Sequence, residues 1–274
     1  MKKQWLLGCM SALLMAHTSC VTDEVAVEAT SVEARSCMVE EQVQNLIQQA
    51  RHGDTEAYKV LALCYRDGNG IRKSYVNAMF MYNIYCHKTG KGLENLIELF
   101  AEDHPGRLLI EIMMSSEFDE RTEVKLEQLQ QIAPEEVKWI EALRTHPTNM
   151  LEVFQEAEDE GSELAGIVQA FHYMESKDTI NYEQCLTRLA EKHPFLYTEI
   201  ALIHNGRYDI DNDFSHIQKA LQCYHHADSL GMLSPRKANE LWSIYDYFSQ
   251  KGLVEYNEIE VERLKQIMKT EYEM

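Results

Sequence analysis

The chain has 274 residues, 45% of them hydrophobic, with only five prolines and twelve glycines. This composition can bury a sizeable core and accommodate long helices. The formal net charge is -19, which argues against a nucleic-acid partner, because a protein that binds phosphates needs a basic face to release counterions. The same charge repels anionic headgroups, so we expect any membrane attachment to be covalent.

The first residues, 1–19, have the form of a signal peptide. Lys2 and Lys3 precede an apolar stretch over 5–16, which is too short to span a bilayer as a stable helix. A small residue directly before a cysteine, Ser19-Cys20, resembles the lipobox of bacterial lipoproteins, in which that cysteine is acylated. We predict lipidation at Cys20. The alternatives are cleavage before Cys9, which leaves almost no apolar stretch, and an ordinary signal peptide that leaves Cys20 as a thiol.

The residues after Cys20 indicate a location. No aspartate directly follows Cys20, so the segment does not look like the retention signal of inner-membrane lipoproteins, and Asp23-Glu24 is similar to the export signal of some surface lipoproteins. We therefore expect an outer-membrane lipoprotein of the bacterial envelope that faces the periplasm or the cell surface. The segment 20–38 lacks aromatic residues, and we interpret it as a flexible tether.

From Glu40 onward, apolar residues recur at helical spacing in short segments separated by Gly, Pro, Asn or Asp, without the alternation of strands. Helices joined by such short breaks form neighbouring pairs. The pattern predicts an all-α domain of helical repeats over 39–274. Between residues 93 and 150 the helical periodicity continues without a repeat signature.

The clearest unit spans 54–90 and resembles the Sel1-like repeat, a relative of the tetratricopeptide repeat. Small residues in this pattern let two helix backbones approach while tyrosines fill the volume beside them, and glycines turn the chain between the helices. The resemblance implies an α-solenoid of stacked antiparallel helix pairs. Ser74, in place of the loop Asp, and a late Gly90 depart from the family. The residues at the family's positions are Ala57, Leu61, Ala62, Tyr65, Gly68, Gly70, Ala78 and Tyr82.

Two weaker units follow, over about 157–193 and about 194–250. The first repeats the helix spacing, but the loop after Tyr173 lacks glycine. The second contains the trace His204-Asn205-Gly206, and Ser234-Pro235 starts another helix on which Tyr245 and Phe248 share the core face while Tyr247 points elsewhere. A C-terminal capping helix is predicted at about 254–270. The second unit keeps the second-helix spacing at Ala220, Tyr224, Ala227 and Gly231.

Few residues suggest chemistry. Cys223, His226 and nearby His216 can be drawn as a metal site, but on a helix His225 points away from His226, so no complete ligand set follows. The sequence has no phosphate-binding loop, zinc-protease motif or serine-hydrolase elbow. We therefore expect no catalytic residue, no metal and no cofactor, and we expect most cysteines to be small core residues.

These observations favour a scaffold over an enzyme. Helical repeats commonly hold a peptide or a folded partner, and Sel1-like proteins look like adaptors without chemistry of their own. We expect a lipid-anchored envelope scaffold that binds proteins, with an acidic surface that favours a basic partner. The alternative is an envelope enzyme or glycan-handling protein with its site in 93–150. That alternative predicts carboxylates or histidines with perturbed pKa values that converge in a pocket.

Overall fold

The computed structural model describes residues 38–115, 119–255 and 257–269. These residues form helices and no β-strand, so the all-α prediction is confirmed. Within the same ranges, none of the helices is long and apolar enough to cross a membrane. The predicted signal peptide, Cys20 and the tether up to residue 37 lie outside the described residues and stay predictions.

Thirteen α-helices, numbered here α1 to α13, are found in the described ranges. Two 3₁₀ segments, Leu93–Leu99 and Pro194–Leu196, follow α3 and α9. The α-helices in chain order are Glu40–Arg51, Thr55–Asp67, Tyr75–Lys88, Pro105–Met114, Glu120–Ile132, Pro134–Thr145, Met150–Asp159, Ala165–Glu175, Thr179–Ala190, Tyr197–Asp211, Phe214–Ser229, Pro235–Gln250 and Glu258–Met268.

Helices that follow each other in the chain pack against each other. The closest partnerships join α2 to α3, α8 to α9 and α10 to α11, and these are the three regions where the sequence predicts repeat units. Several helices begin at a residue whose side chain caps the first turn. Before α12, the hydroxyl oxygen of Ser234 accepts a hydrogen bond from the Lys237 N–H, and Pro235 is the first helical residue. This start agrees with the prediction, since serine satisfies a free N–H and proline fits the first turn.

The glycine loop that follows α2, in the clearest repeat unit, contacts the first residue of the described chain. Gly68 ends α2 with φ +70°, and Gly70 has φ +71°. A Cβ on Gly70 would lie 2.9 Å from the carbonyl oxygen of Met38, whose N–H donates to Asn69 Oδ1. Glycine is therefore needed at position 70 for two reasons: its φ is positive, and the backbone of Met38, the first described residue, lies too close for a Cβ.

The weaker units turn without glycine. Lys177 between α8 and α9 has φ +61°, and Asn212 between α10 and α11 has φ +58°. The residues of the trace His204-Asn205-Gly206 lie inside α10. The turn comes at Asn212 because asparagine tolerates the left-handed conformation, while Gly206 stays in the helix.

Helix α3 is the central helix of the described chain. It is apolar on nearly all sides, and every residue from Val76 to Cys86 is buried, as expected for a helix surrounded by others. Phe80 stacks on Phe195 with ring centroids 4.4 Å apart, and the Asn77 amide donates to the Lys192 carbonyl. The clearest repeat unit therefore contacts segments more than a hundred residues away.

The first and last helices are in contact, and we call this junction the clasp. Helix α1 packs against α11 and α13. The buried carboxylate of Asp228 accepts from Arg51, at 3.1 Å, and from Arg263, at 2.8 Å. The buried ammonium of Lys88 donates to the Ile267 and Lys269 carbonyls at the end of α13, where a helix leaves its carbonyls without partners and favours a cation.

Candidate functional site

The repeat residues named from the sequence lie in the interior. All the alanine, leucine and tyrosine side chains of the set are buried, and its glycines adopt positive φ at helix ends, including Gly231 with φ +70°. Tyr245 and Phe248 are buried while Tyr247 is half-exposed, as predicted for α12. The buried positions are Ala57, Leu61, Ala62, Tyr65, Ala78, Tyr82, Ala220, Tyr224 and Ala227.

The side chains of Cys223, His225 and His226 do not form a ligand set. His225 Nε2 lies 2.6 Å from the Tyr245 hydroxyl, and His226 packs edge-on against the Tyr197 ring. In the part of the chain that the structure describes, no three His, Cys, Asp or Glu side chains converge on a point where a metal could bind. His216 instead faces a different histidine.

A buried carboxylate lies within the segment that carries no repeat signature. Glu136, on α6, is only 2% exposed. One carboxylate oxygen accepts from Trp139 Nε1 at 2.6 Å and from the Ser162 hydroxyl at 2.9 Å. The other accepts from the Tyr75 hydroxyl and from the Glu163 N–H. We call these residues the Glu136 cluster. It joins the start of α3 to α6 and to the turn before α8.

The neighbouring carboxylate, Glu163, caps helix α3 from outside its own unit. Its Oε2 accepts from the Ser74 hydroxyl at 2.5 Å and from the Val76 N–H at 3.2 Å. A negative group at a helix N-terminus is favourable. Burial raises the pKa of Glu136 and that of Glu163, and the hydrogen bonds to each carboxylate oppose the shift.

The Glu136 cluster leaves no acceptor capacity for a substrate. A carboxylate offers about four lone-pair sites, and the protein's own donors occupy that number at Glu136. A carboxylate that has to take a proton from a substrate needs a free, reachable oxygen. The cluster therefore acts as a structural cross-link between three segments.

Comparisons with known proteins add no assignment. The chain matches no protein-family model, no curated protein and no solved structure. The resemblance to Sel1-like repeats accordingly depends on the residues of 54–90 and of the two weaker units.

Two histidines face each other where α9, α10 and α11 meet. His204 Nδ1 lies 3.3 Å from His216 Nδ1, and the ring centroids are 5.5 Å apart with planes inclined by 23°. The outer nitrogens face carboxylates: His204 Nε2 lies 3.5 Å from Glu183 Oε1, and His216 Nε2 lies 3.2 Å from Asp211 Oδ2. We call these four side chains, in contact in the order Glu183, His204, His216 and Asp211, the histidine line.

Exposed apolar side chains lie at the same end of these helices. Glu183, near the start of α9, pairs with Arg207, near the end of α10, so the two helix ends are adjacent. Ile180 is 66% exposed and Ile210 is 84% exposed, and Met174 at the end of α8 is 42% exposed. Segments 174–180 and 208–213 together carry five carboxylates and one lysine. We call this surface the acidic end.

Proposed function

We propose that this protein is a lipid-anchored scaffold of the bacterial cell envelope, held at the outer membrane through Cys20, which binds protein partners on a helical-repeat surface. The helix pairs α2–α3, α8–α9 and α10–α11 are then Sel1-like units, stacked as an α-solenoid. The packing of successive helices supports this arrangement. The clasp adds one feature, since it joins the first helix of the described chain to α11 and to the last helix.

The acidic end is the observation that carries the proposal. Exposed isoleucines scattered singly need no explanation, but apolar side chains rimmed by polar and charged ones are typical of interaction sites. Ile210, flanked by Asp209 and Asp211, offers an apolar anchor inside a negative field. The matching partner is a basic protein segment with an apolar side chain, because complementary charge steers association and fixes register.

The enzyme alternative places a site in 93–150, and Glu136 is the residue there that best fits its requirements. Glu136 is buried and its pKa is raised by burial. Its hydrogen bonds, however, all come from the protein itself. This internal saturation favours the scaffold over the enzyme.

Cross-linking in intact envelopes tests the scaffold. We would compare the native lipoprotein with the double variant Ile180→Ser/Ile210→Ser and identify cross-linked proteins by mass spectrometry. The matched control is Ile259→Ser, because Ile259 on α13 is also 84% exposed and lies between Glu258 and Glu260. Each change removes an exposed side chain, so we expect stability to stay within about 0.5 kcal/mol.

The proposal predicts one or two envelope proteins in stoichiometric amount, lost in the double variant and kept in Ile259→Ser. Cys20→Ala should move the protein from the membrane fraction to the soluble fraction. If all variants cross-link equally, the acidic end is not the binding surface. If no protein is cross-linked and a glycan co-purifies instead, the scaffold is wrong and the enzyme or glycan-handling alternative takes its place.

A further inference from the structure

Met38, the first described residue, is fixed against α2 and the loop that follows it. Its N–H donates to Asn69 Oδ1 at 2.5 Å, and the Asn69 N–H donates to the Cys64 carbonyl at 3.0 Å. Its side chain reaches the same cysteine, since the Cys64 thiol lies 3.4 Å from Met38 Sδ. Its carbonyl oxygen packs against Gly70. The backbone and the side chain of Met38 therefore both lead to Cys64.

The residue bonded to the Met38 nitrogen is a second cysteine. Cys37 lies outside the described residues, but its peptide bond to Met38 limits its distance from Cys64. The Met38 Cα lies within one methionine side chain and one 3.4 Å contact of the Cys64 sulfur. One Cα–Cα step of about 3.8 Å, a cysteine side chain and an S–S bond of about 2.0 Å span a comparable distance. The two sulfurs can therefore bond while only the flexible Met38 side chain shifts.

We propose that Cys37 and Cys64 form a disulfide, which attaches the end of the predicted tether to helix α2. Disulfides persist in oxidising compartments such as the bacterial envelope, so the bond in the cell rests on the export that the proposed function includes. The approach of the two residues does not depend on export, because it follows from the contacts of Met38.

The other cysteines offer no competing pair. Of the seven cysteines in the chain, Cys9 lies in the predicted signal peptide and Cys20 is the predicted lipid site, so five remain. An odd number leaves at least one thiol unpaired. Within the described ranges, Cys86, Cys185 and Cys223 are free thiols. The proposed pair leaves these three as the unpaired ones.

Formation of the bond needs an external oxidant, and the class that fits is a disulfide-bearing thiol oxidase of the envelope, replaced in vitro by oxidised glutathione. The Cys37 thiolate attacks one sulfur of the oxidant's disulfide, forms a mixed disulfide and expels one thiolate. The Cys64 thiolate then attacks the Cys37 sulfur and expels the second. The two cysteines lose two protons and two electrons, which the oxidant takes up as it becomes two thiols. Cys64 is only 2% exposed, which suits it to the second, intramolecular attack.

The disulfide closes a loop that contains α1. Residues 38–63 lie between the two cysteines, and α1 is one of the helices joined in the clasp. A pull from the lipid anchor then enters the domain at α2, and α1 lies inside the closed loop and carries no load. The bond also restricts the unfolded chain, which lowers the entropy gained on unfolding. The oxidised protein should therefore be more stable than the reduced one.

Peptide mapping of the lipoprotein from intact envelopes tests the bond. Free thiols are alkylated before lysis, and the protein is then digested with trypsin without reduction. Trypsin releases residues 36–51 and 60–66 as separate peptides, and each contains one of the two cysteines. We expect these peptides to be found as one linked species by mass spectrometry, and to separate on treatment with a reductant. Cys86, Cys185 and Cys223 should be alkylated.

Thermal unfolding of the purified full chain provides the second measurement, in reduced and in oxidised glutathione. We expect the oxidised protein to unfold about 5 °C higher than the reduced one. The difference should vanish in Cys37→Ser, which changes a residue before the first helix. It should persist in the control Cys223→Ser, which removes a partly buried thiol of α11. Because each variant is compared with itself in two redox states, a loss of basal stability does not affect the result.

A Cys37 that remains open to alkylation both in the envelope and after oxidation in vitro overturns the proposal, and so does a linked peptide between any other two cysteines. A bond that forms only in the purified protein means that the cell does not make it, which overturns the disulfide as a modification of this protein. The Cys20→Ala fractionation reports the anchor separately, so failure of the disulfide is distinguished from failure of the proposed scaffold.

Discussion

The Glu136 cluster and the histidine line are both polar groups between helices, but the first is buried and the second is partly exposed. At Glu136 the acceptor sites meet donors of the same chain, from Tyr75, Trp139, Ser162 and Glu163. In the histidine line the two inner nitrogens share one hydrogen bond, and the outer nitrogens lie 3.5 Å from Glu183 Oε1 and 3.2 Å from Asp211 Oδ2. The first group is saturated inside the protein, whereas the second is partly open to solvent.

Burial raises the pKa of Glu136 and lowers that of His204, so a perturbed pKa does not distinguish the two groups, although it is commonly used to locate sites. What distinguishes them is how completely the protein itself supplies the hydrogen-bond partners.

Removal of the Glu136 carboxylate should produce the largest loss. Glu136→Ala leaves a tryptophan N–H, two hydroxyls and a backbone N–H buried without acceptors, and each such group costs about 1–3 kcal/mol. Some donors will recover water, so we expect a loss of about 4 kcal/mol in the free energy of unfolding, measured with urea. The control Glu135→Ala, at the next position on α6, should cost less than about 1 kcal/mol.

A native-like stability of Glu136→Ala would contradict the structural interpretation. In that case the carboxylate would be retained for some other purpose, and the enzyme alternative in 93–150 would regain support.

The clasp should be the next most sensitive feature. A Cβ on Gly53, which has φ +83°, would lie 2.4 Å from the carbonyl oxygen of Gln266 in α13. Gly53→Ala therefore strains the backbone and separates the first loop from the last helix, and we expect a loss of about 2 kcal/mol. Thermal or urea unfolding measures it.

Gly252→Ala is the matched control for the clasp, because Gly252 has φ +69° and a Cβ there would meet nothing within 4 Å. Its cost should be that of the left-handed backbone alone, about 1 kcal/mol. If the two variants lose equal stability, the contact between Gly53 and α13 does not contribute.

His193 should produce the smallest effect near neutral pH, and its contribution is visible as a slope toward acid. Burial lowers the pKa of His193 from 6.5 to about 3. Between these values the unfolded chain binds a proton that the folded chain does not, so stability falls as pH falls through this window, by about 1.4 kcal/mol per pH unit. Above pH 6.5 the contribution is constant.

His193→Gln should remove this slope. The test compares the free energy of unfolding of the two proteins from pH 4 to pH 7, where the difference should shrink steadily toward acid. Parallel curves would mean that His193 is protonated in the folded state, in conflict with its burial beside the Asn77 carboxamide.

Local features of the fold could be predicted from the sequence, because they depend on residues close together in the chain. The glycines of 68–70, the Ser234-Pro235 helix start and the buried face of Tyr245 and Phe248 all follow from nearest-neighbour chemistry. The turn at Asn212 was not predicted.

Long-range features could not be predicted, because their partners are far apart in the chain. Arg51 and Asp228 are separated by 177 positions, and Lys88 and Ile267 by 179. Glu136 carried one local signal, a tryptophan three residues later on the same helix face. Nothing in the spacing indicated Ser162 or Tyr75 as the other donors.

The clasp has a consequence for cooperativity. In an open repeat array each unit contacts only its neighbours, so the ends can unfold while the middle stays folded. Here α1 packs against α11 and α13, and Lys88 of α3 donates a hydrogen bond to a carbonyl in the last turn of α13. Loss of the last helix therefore removes support from the first. We expect such a chain to unfold in one transition and to complete its folding only when residues near position 267 have been made.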